Sequence, residues 1–385
     1  MQIDKFDQRV LAKDGKMKRI LAIDGGGMRA VLTVQMLKKI EAIIRKKTGN
    51  PDAVLRDHFH LVGGTSTGSM VSALVALGLS ATDIEEKYLE IGRAVFKKSP
   101  LRFGIFRSKF PTEAIEDGLK KALGADITLE DVAHMGIGYT AVTKRLDTGS
   151  VWPIDNNPRG KYFGDDSVTD YVPNKDYKLW KAVRASAAAP GAFSPESIDV
   201  AVDQKGLFLD GGVSPHNYPA FLLFMQATIE GYGYNWECGP DKISVLSVGT
   251  GQWTRTIAQK DIGIIQRLLP TMATGGLALV SLMNDCRELN ELVMQWLGKP
   301  TRQMDDIDSL VGNFANECLN NTPLFSYTRY NLRLEKEWLK EEFGKTYTDK
   351  QIKRLRNYKD LPMIAEWQEL GQLYADKYIK ADEIL

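Results

Sequence analysis

Two short apolar runs, each ending in glycines and each followed by a helical pattern, limit what this chain can become. The first is Arg19-Ile20-Leu21-Ala22-Ile23, which ends in Asp24-Gly25-Gly26-Gly27-Met28-Arg29-Ala30. Val31, Val34, Leu37, Ile40 and Ile44 then recur at the spacing of one helix face, over Val31 to Lys47. The second run holds Phe59, Leu61 and Val62 before Gly64-Thr65-Ser66-Thr67-Gly68, with Met70, Val71, Leu74 and Val75 after it. Parallel strands need a crossover, and a helix supplies one. Two strand-loop-helix units in succession therefore predict an α/β fold whose mainly parallel central sheet is flanked by helices. Sites in such folds form in the loops at the carboxyl ends of the strands.

The remaining chain extends this pattern. A helix is expected from about Thr82 to Phe96, capped by Ser80 or Thr82, and another from Thr112 to Leu123. Ile137 to Thr143 predicts a strand that turns at Leu146-Asp147-Thr148-Gly149 into Val151 to Ile154. Lys178 to Ala189 predicts a helix stopped by Pro190-Gly191. Leu207-Phe208-Leu209 delivers Asp210-Gly211-Gly212, Pro219 to Ile229 resumes helix, and Ile243 to Val248 is a strand ending at Gly249-Thr250-Gly251. Ile257 to Leu297 is helix-rich with Gly275-Gly276 as a break, and Leu324 to Leu332 is strand-like before charged helices. Past Trp253 the character changes without a low-complexity linker, so residues 224–385 are expected to complete the sheet and add a helical C-terminal extension packed onto the core, which could cap the site.

Charge excludes some partners. Lys and Arg total 50 against 49 acidic residues, a net charge of +1, so no global field recruits a nucleic acid polymer or an anionic membrane. Local patches are different. The acid-free stretch Lys97 to Phe110 mixes cations with phenylalanines, as a lip against anionic phospholipid would, although a surface loop pinned by its aromatics is the stronger reading. The cluster Lys350, Lys353, Arg354, Arg356, Lys359 reads as a solvated helix face before it reads as an anion site. Cys238, Cys286 and Cys318 lie far apart without metal-ligand or disulfide spacing, which points to a reducing cytoplasm. The amino terminus lacks the pattern of a signal peptide, and no run approaches the roughly 18 apolar residues of a spanning helix.

Chemistry concentrates in three loops. Gly64-Thr65-Ser66-Thr67-Gly68 is a G-x-S-x-G pattern, which at a strand-to-helix bend projects its serine as a nucleophile elbow. Without that setting it would be a glycine turn with a solvated serine. Gly25, Gly26 and Gly27 expose backbone N–H groups at a helix amino terminus, a preorganised place for negative charge. Two uses compete there. Gly25-x-Gly27-x-x-Ala30 also fits a dinucleotide fingerprint, but that reading wants an acid closing the next strand, where Gly-Thr-Ser stands, with Asp52 and Asp57 only nearby. The other use is an oxyanion hole beside Ser66, in which each donor contributes about 3 kcal/mol. A serine needs a base. His58 and His60 lie too close to the elbow strand to swing round, His134 is in a connecting segment, and His216 is the plausible histidine. Asp210 is the better choice, since a partly desolvated carboxylate is a stronger base than its ordinary pKa suggests, though D-G is also a common turn pair.

Taken in order, Asp24-Gly25-Gly26-Gly27-Met28-Arg29, Gly64-Thr65-Ser66-Thr67-Gly68, Ala185 to Pro195 and Asp210-Gly211-Gly212 resemble the patatin-like phospholipase family over about residues 19 to 223. The resemblance implies a three-layer fold and a serine lipase with a Ser66-Asp210 dyad. It also implies an oxyanion hole shaped by Gly25, Gly26, Gly27 and Arg29, with Gly64 and Gly68 forming the elbow. Neither metal nor cofactor is implied, and the substrates are acyl esters of membrane glycerophospholipids. Ala30 departs from the family's frequent glycine. By its size, its cytoplasmic character and its helical tail, the chain is most similar to bacterial patatin effectors of antiphage defence. A cyclic dinucleotide switches those on to degrade the cell's own membrane. That implies transient contact with the inner membrane surface and leaves room for a homo-oligomer. The alternatives are a nucleotide-binding module at the Gly25 loop and a neutral-lipid esterase without nucleotide control.

Overall fold

The computed structural model describes residues 4–96, 112–164, 170–254, 271–302, 312–314 and 316–384. Its centre is β1 (Lys18–Ile23), whose successive side chains point to opposite faces of the sheet. Leu21 and Ile23 enter a core formed with the Ala30–Thr48, Thr67–Ala76 and Ala81–Val95 helices. Ile20 and Ala22 enter a second core with Phe6, Trp236 and Phe325 under the Ala220–Thr228 helix. A strand apolar on both faces must be covered on both, and the result is three layers. In chain order β2 (Leu61–Thr65), β3 (Gly138–Arg145), β4 (Val151–Asp155), β5 (Glu196–Ala201), β6 (Gln204–Asp210), β7 (Ile243–Val248), β8 (Lys299–Pro300) and β9 (Ser326–Tyr330) follow.

The sheet runs β5-β6-β3-β2-β1-β7-β9-β8, with β4 also paired to β3. Pairings from β3 through β8 are parallel, as the repeated units predict. β3–β4, β3–β6 and β5–β6 pair antiparallel; the β3–β4 turn was expected, but the β5–β6 wing was not. β7 and β9 follow residue 224 in the chain, yet β7 pairs directly with β1. Register sets the functional levels: Thr65 pairs with Val142 while Asp210 pairs with Thr143. The ends of β2 and β6 therefore flank β3 at one height. On the other side of β2, Ile23 is level with both Gly64 and Val248, which puts the Asp24 loop and Gly249-Thr250 beside the elbow.

Two expected helices differ. The stretch predicted from Lys178 to Ala189 is helical only over Leu179–Ser186, because the chain beyond it turns so that the Ala188 carbonyl accepts from Asp210 N–H at 3.1 Å. The expected break at Gly275-Gly276 is absent, and Thr271–Leu297 is one continuous helix. Glycine in a helix costs only about 1 kcal/mol relative to alanine. Thr112–Leu123 matches its expected bounds, and Ser80 rather than Thr82 caps Ala81–Val95, accepting from Asp83 N–H at 3.1 Å. The stretch 97–110 lies outside the described residues. Among the described residues no helix is long and apolar enough to cross a membrane.

Candidate active site

Ser66 stands between β2 and the Thr67–Ala76 helix with φ 56° and ψ −126°, a backbone conformation that side-chain-bearing residues rarely adopt. Such strain costs on the order of 1–3 kcal/mol and persists only where the surroundings impose it. Two glycines do so here. A Cβ on Gly64 would lie 2.2 Å from the Gly68 carbonyl carbon, and one on Gly68 would lie 2.3 Å from the Ile23 carbonyl oxygen. Hydrogen bonds complete the bend. Ser66 N–H donates to Ser186 Oγ at 2.9 Å, Ser186 Oγ donates to the Val142 carbonyl at 2.6 Å, and Ser69 Oγ donates to the Ser66 carbonyl at 2.6 Å. Ser186 thus locks the elbow to β3.

Asp210 ends β6 across β3 from Ser66, and it is buried. Its Oδ1 accepts from Gly212 N–H at 2.7 Å, and its carboxylate is the hydrogen-bonding neighbour of the Ser66 side chain. Burial pushes its pKa up to about 6, against the pull of Ser66 and Gly212. Among the described residues no cation pairs with it. The Asp210–Gly212 hydrogen bond is also the turn-capping contact expected of a D-G pair, so the residue caps its turn and faces the serine at once.

The histidines are elsewhere. His58 Nε2 contacts the Ile384 carbonyl and His60 Nδ1 accepts from Arg19 N–H, both at 3.0 Å, and burial lowers their pKa values to about 4 and about 3, so both rings are neutral. His216 contributes its backbone: its carbonyl accepts from Thr65 Oγ1 at 2.6 Å, and its ring does not line the cleft at Ser66.

The Gly25 loop closes the third side. Gly25 is packed so tightly that a Cβ would lie 2.4 Å from Asn217 Oδ1 and 3.2 Å from Ser66 Cβ, and its N–H is given to the Asn217 carbonyl at 3.2 Å. It brings the loop against the serine, and the partly exposed Gly26 and Gly27 line the cleft with it. Gly26 N–H makes a long bond of 3.3 Å to Thr67 Oγ1. Gly27 takes φ 56°, and a side chain there would strike Tyr358. Thr250 Oγ1 donates to the Gly25 carbonyl at 3.0 Å, and Asp24 below the loop is held by Arg329 through bonds of 3.0 and 2.6 Å. Arg29 Nε reaches back toward the Gly26 carbonyl at 3.4 Å, and burial lowers the guanidinium's pKa to about 10.

Ser66 opens on two spaces of opposite character. One is a narrow apolar slot of about 70 Å³ walled by Met70, Ile91, Val95, Ile115, Leu119 and Phe193. The other is a cleft of about 450 Å³ that also holds Asp210, Gly26, Gly27 and three arginines. An ester with one greasy and one polar end fits such a junction.

The family model for patatin-like phospholipases matches residues 21–224, more than half of the chain. The chain belongs to this family. Curated relatives include the cGAMP-activated phospholipase of Escherichia coli (strain TW11681), 27% identical over 63% of this chain, and the cGAMP-activated phospholipase of Vibrio cholerae, 28% identical over 60% of it. The chain spans 64% of the length of each of these relatives. Among solved structures, VipD from Legionella pneumophila aligns with 91% of this chain and 67% of its own, at 12% identity and a TM-score of 0.34.

Within this patatin-like frame the structure brings Ser66, Asp210, Gly25, Gly26, Gly27 and Arg29 to one cleft, with Gly64 and Gly68 behind the serine. Sequence reasoning missed Ser186, Asn217, Arg329 and Tyr358. Ser186 lies inside the stretch already noticed, Ala185 to Pro195, without a role of its own, and Asn217 follows shortly after Asp210-Gly211-Gly212, but nothing local marks Arg329 or Tyr358.

Proposed function

We propose that this chain is a lipid acyl hydrolase of the phospholipase A type, with Ser66 as nucleophile and Asp210 as general base. The observation that carries this reading is a strained, cleft-facing serine beside a buried carboxylate, with no histidine lining the cleft among the described residues. Asp210 takes the Ser66 hydroxyl proton as Oγ bonds to the acyl carbon. Negative charge gathers on the former carbonyl oxygen, where the Gly26 and Gly27 N–H groups stabilise it. Collapse breaks the ester C–O bond, and Asp210 returns the proton to the departing glycerol oxygen. Water then enters, loses a proton to Asp210 and attacks the acyl-serine; the acyl C–Oγ bond breaks, Asp210 returns the proton to Ser66 Oγ, and the fatty acid leaves.

The apolar slot supports a fatty acyl group on the carboxylic side of the ester. The names of the Escherichia coli and Vibrio cholerae relatives support phospholipid as substrate and a cyclic dinucleotide as activator; membrane degradation in antiviral defence, on contact with the inner membrane surface, extends the resemblance to bacterial patatin effectors. Ser66→Ala and Asp210→Asn are each expected to abolish release of fatty acid from phospholipid vesicles and labelling by a fluorophosphonate, with folding retained. Near-full activity in either variant sinks the dyad. Calorimetry against a panel of cyclic dinucleotides is expected to give binding heat for at least one of them, and a silent panel removes the activator.

A further inference from the structure

The cleft's polar wall carries Arg29, Arg287 and Arg356. Arg29 and Arg356 share one indole, their guanidinium carbons lying 4.7 and 5.6 Å from the centre of the Trp253 ring. Stacking of this kind holds a guanidinium plane in place while leaving its N–H edge available. Arg29 Nη1 is buried and has no hydrogen-bond partner among the described residues. The ionisable groups acting on Arg29 are three tyrosines, Tyr218, Tyr358 and Tyr88, and no carboxylate is among them. Arg356 uses Nε on the Leu334 carbonyl at 2.9 Å. Of the acids that act on it, Glu335 is already bonded to Arg333 and to Thr254 N–H, each at 2.8 Å, and Glu337 acts through space. Arg287 enters from the Thr271–Leu297 helix, its side chain 16% exposed, and contacts the more exposed Glu288 at 3.0 Å. The basic run around Arg354 is thus divided: Arg354 pairs with Asp360 through two bonds of 2.9 Å, while Arg356 turns inward to Trp253.

Two like charges on one indole, without a carboxylate between them, make a cavity wall that an anion with several acceptor oxygens would complete. Guanidinium forks suit phosphate oxygens in this way. We propose that Arg356 and Arg287, together with Arg29 at the shared Trp253, form the site that grips the substrate's phosphate and so selects phospholipids over neutral glycerides. This rests on the hydrolase reading above. With an acyl chain in the slot and its ester at Ser66, a glycerophospholipid carries its phosphate a few bonds away on the glycerol, toward the polar wall. A diacylglycerol offers only a hydroxyl there. Arg287 and Arg356 both lie beyond the family-matched residues 21–224, so the family core would supply the bond-breaking and this chain's C-terminal part the headgroup choice.

The test compares phosphatidylcholine with diacylglycerol of the same acyl chains, in the same detergent micelles, using the full chain. Wild type is expected to prefer phosphatidylcholine in kcat/KM. Arg356→Gln and Arg287→Gln are each expected to reduce that preference roughly tenfold, mainly through KM, and Arg356→Lys to restore part of it. Arg287→Gln, at a partly exposed position on a different element, keeps the comparison open should Arg356→Gln fail to fold. Equal losses on both substrates, or an unchanged preference in both glutamine variants, overturn the assignment. Inorganic phosphate separates a headgroup site from a free-anion site: diacylglycerol turnover that millimolar phosphate blocks or stimulates gives the arginines to a free anion and overturns the headgroup role. If wild type, both alone and with each member of the cyclic-dinucleotide panel, cleaves neither lipid and takes no fluorophosphonate label, the hydrolase reading itself fails. If it cleaves both without preference, only the phosphate site does.

Discussion

Asp24 and Asp210 look alike in the sequence and in their burial, yet they face opposite tasks. Each follows an apolar strand and precedes glycines, and they are 1% and 4% exposed. Burial pushes both carboxylates up to about 6. The difference is in what meets them. Arg329, itself buried, grips Asp24 with two hydrogen bonds and also donates to Ser247 Oγ at 2.6 Å, and Asp24 in turn keeps that guanidinium firmly charged. Asp210 meets a hydroxyl and one backbone N–H, so its proton affinity remains available. A buried carboxylate becomes structural when a cation neutralises it and becomes a base when the fold withholds one.

The comparison breaks most sharply in activity. Asp210→Asn is expected to lower kcat by about a thousandfold or more, the scale on which loss of a residue from a catalytic unit is felt. Asp24→Asn is expected to act first on folding. It leaves buried Arg329 with only Glu291, 3.8 Å from its Nε, as a carboxylate partner among the described residues, a loss of up to roughly 3–5 kcal/mol, measurable by urea denaturation. If Asp24→Asn proves as stable as wild type, the two aspartates are not divided as described.

Next in size is the pH dependence. In its proposed role as base Asp210 works only when ionised, so kcat/KM is expected to fall about tenfold per unit below pH 6 and to level off above it. Its stability effect has the opposite sense. Because folding raises the pKa above its ordinary 3.8, the folded state holds the proton more tightly, and the stability this gives at low pH is lost as pH rises through about 6. At neutral pH the ionised Asp210 therefore costs stability. The smallest expected effect follows from this: Asp210→Asn should melt a few degrees higher than wild type at pH 7 and gain nothing at pH 3. A melting temperature that falls at neutral pH would assign Asp210 a stabilising partner.

Much of the site was legible because it is built from local rules. A serine between glycines at a strand-to-helix bend has few conformations open to it, and Ser66 takes the strained one. The choice of Asp210 over His216 also followed from local order, since Asp210 ends an apolar strand and His216 sits beyond the turn. Gly25 shows where local reading stops. It was expected to present its N–H to an oxyanion, but that N–H is given to Asn217, and the residue's contribution is its lack of a side chain against Ser66.

By itself the sequence determined the strands, their glycine loops and the helices that cover them, since hydrophobic period and turn chemistry act over a few residues. The tertiary structure decided the partners. Arg329 reaches Asp24 across 305 residues and Ser186 reaches Ser66 across 120, and Arg356 meets Arg29 only because both pack on Trp253. No local pattern specifies such pairs. They arise when strand register brings the ends of β1, β2, β6 and β7 to one level, and register is set by the packing of whole faces of the sheet.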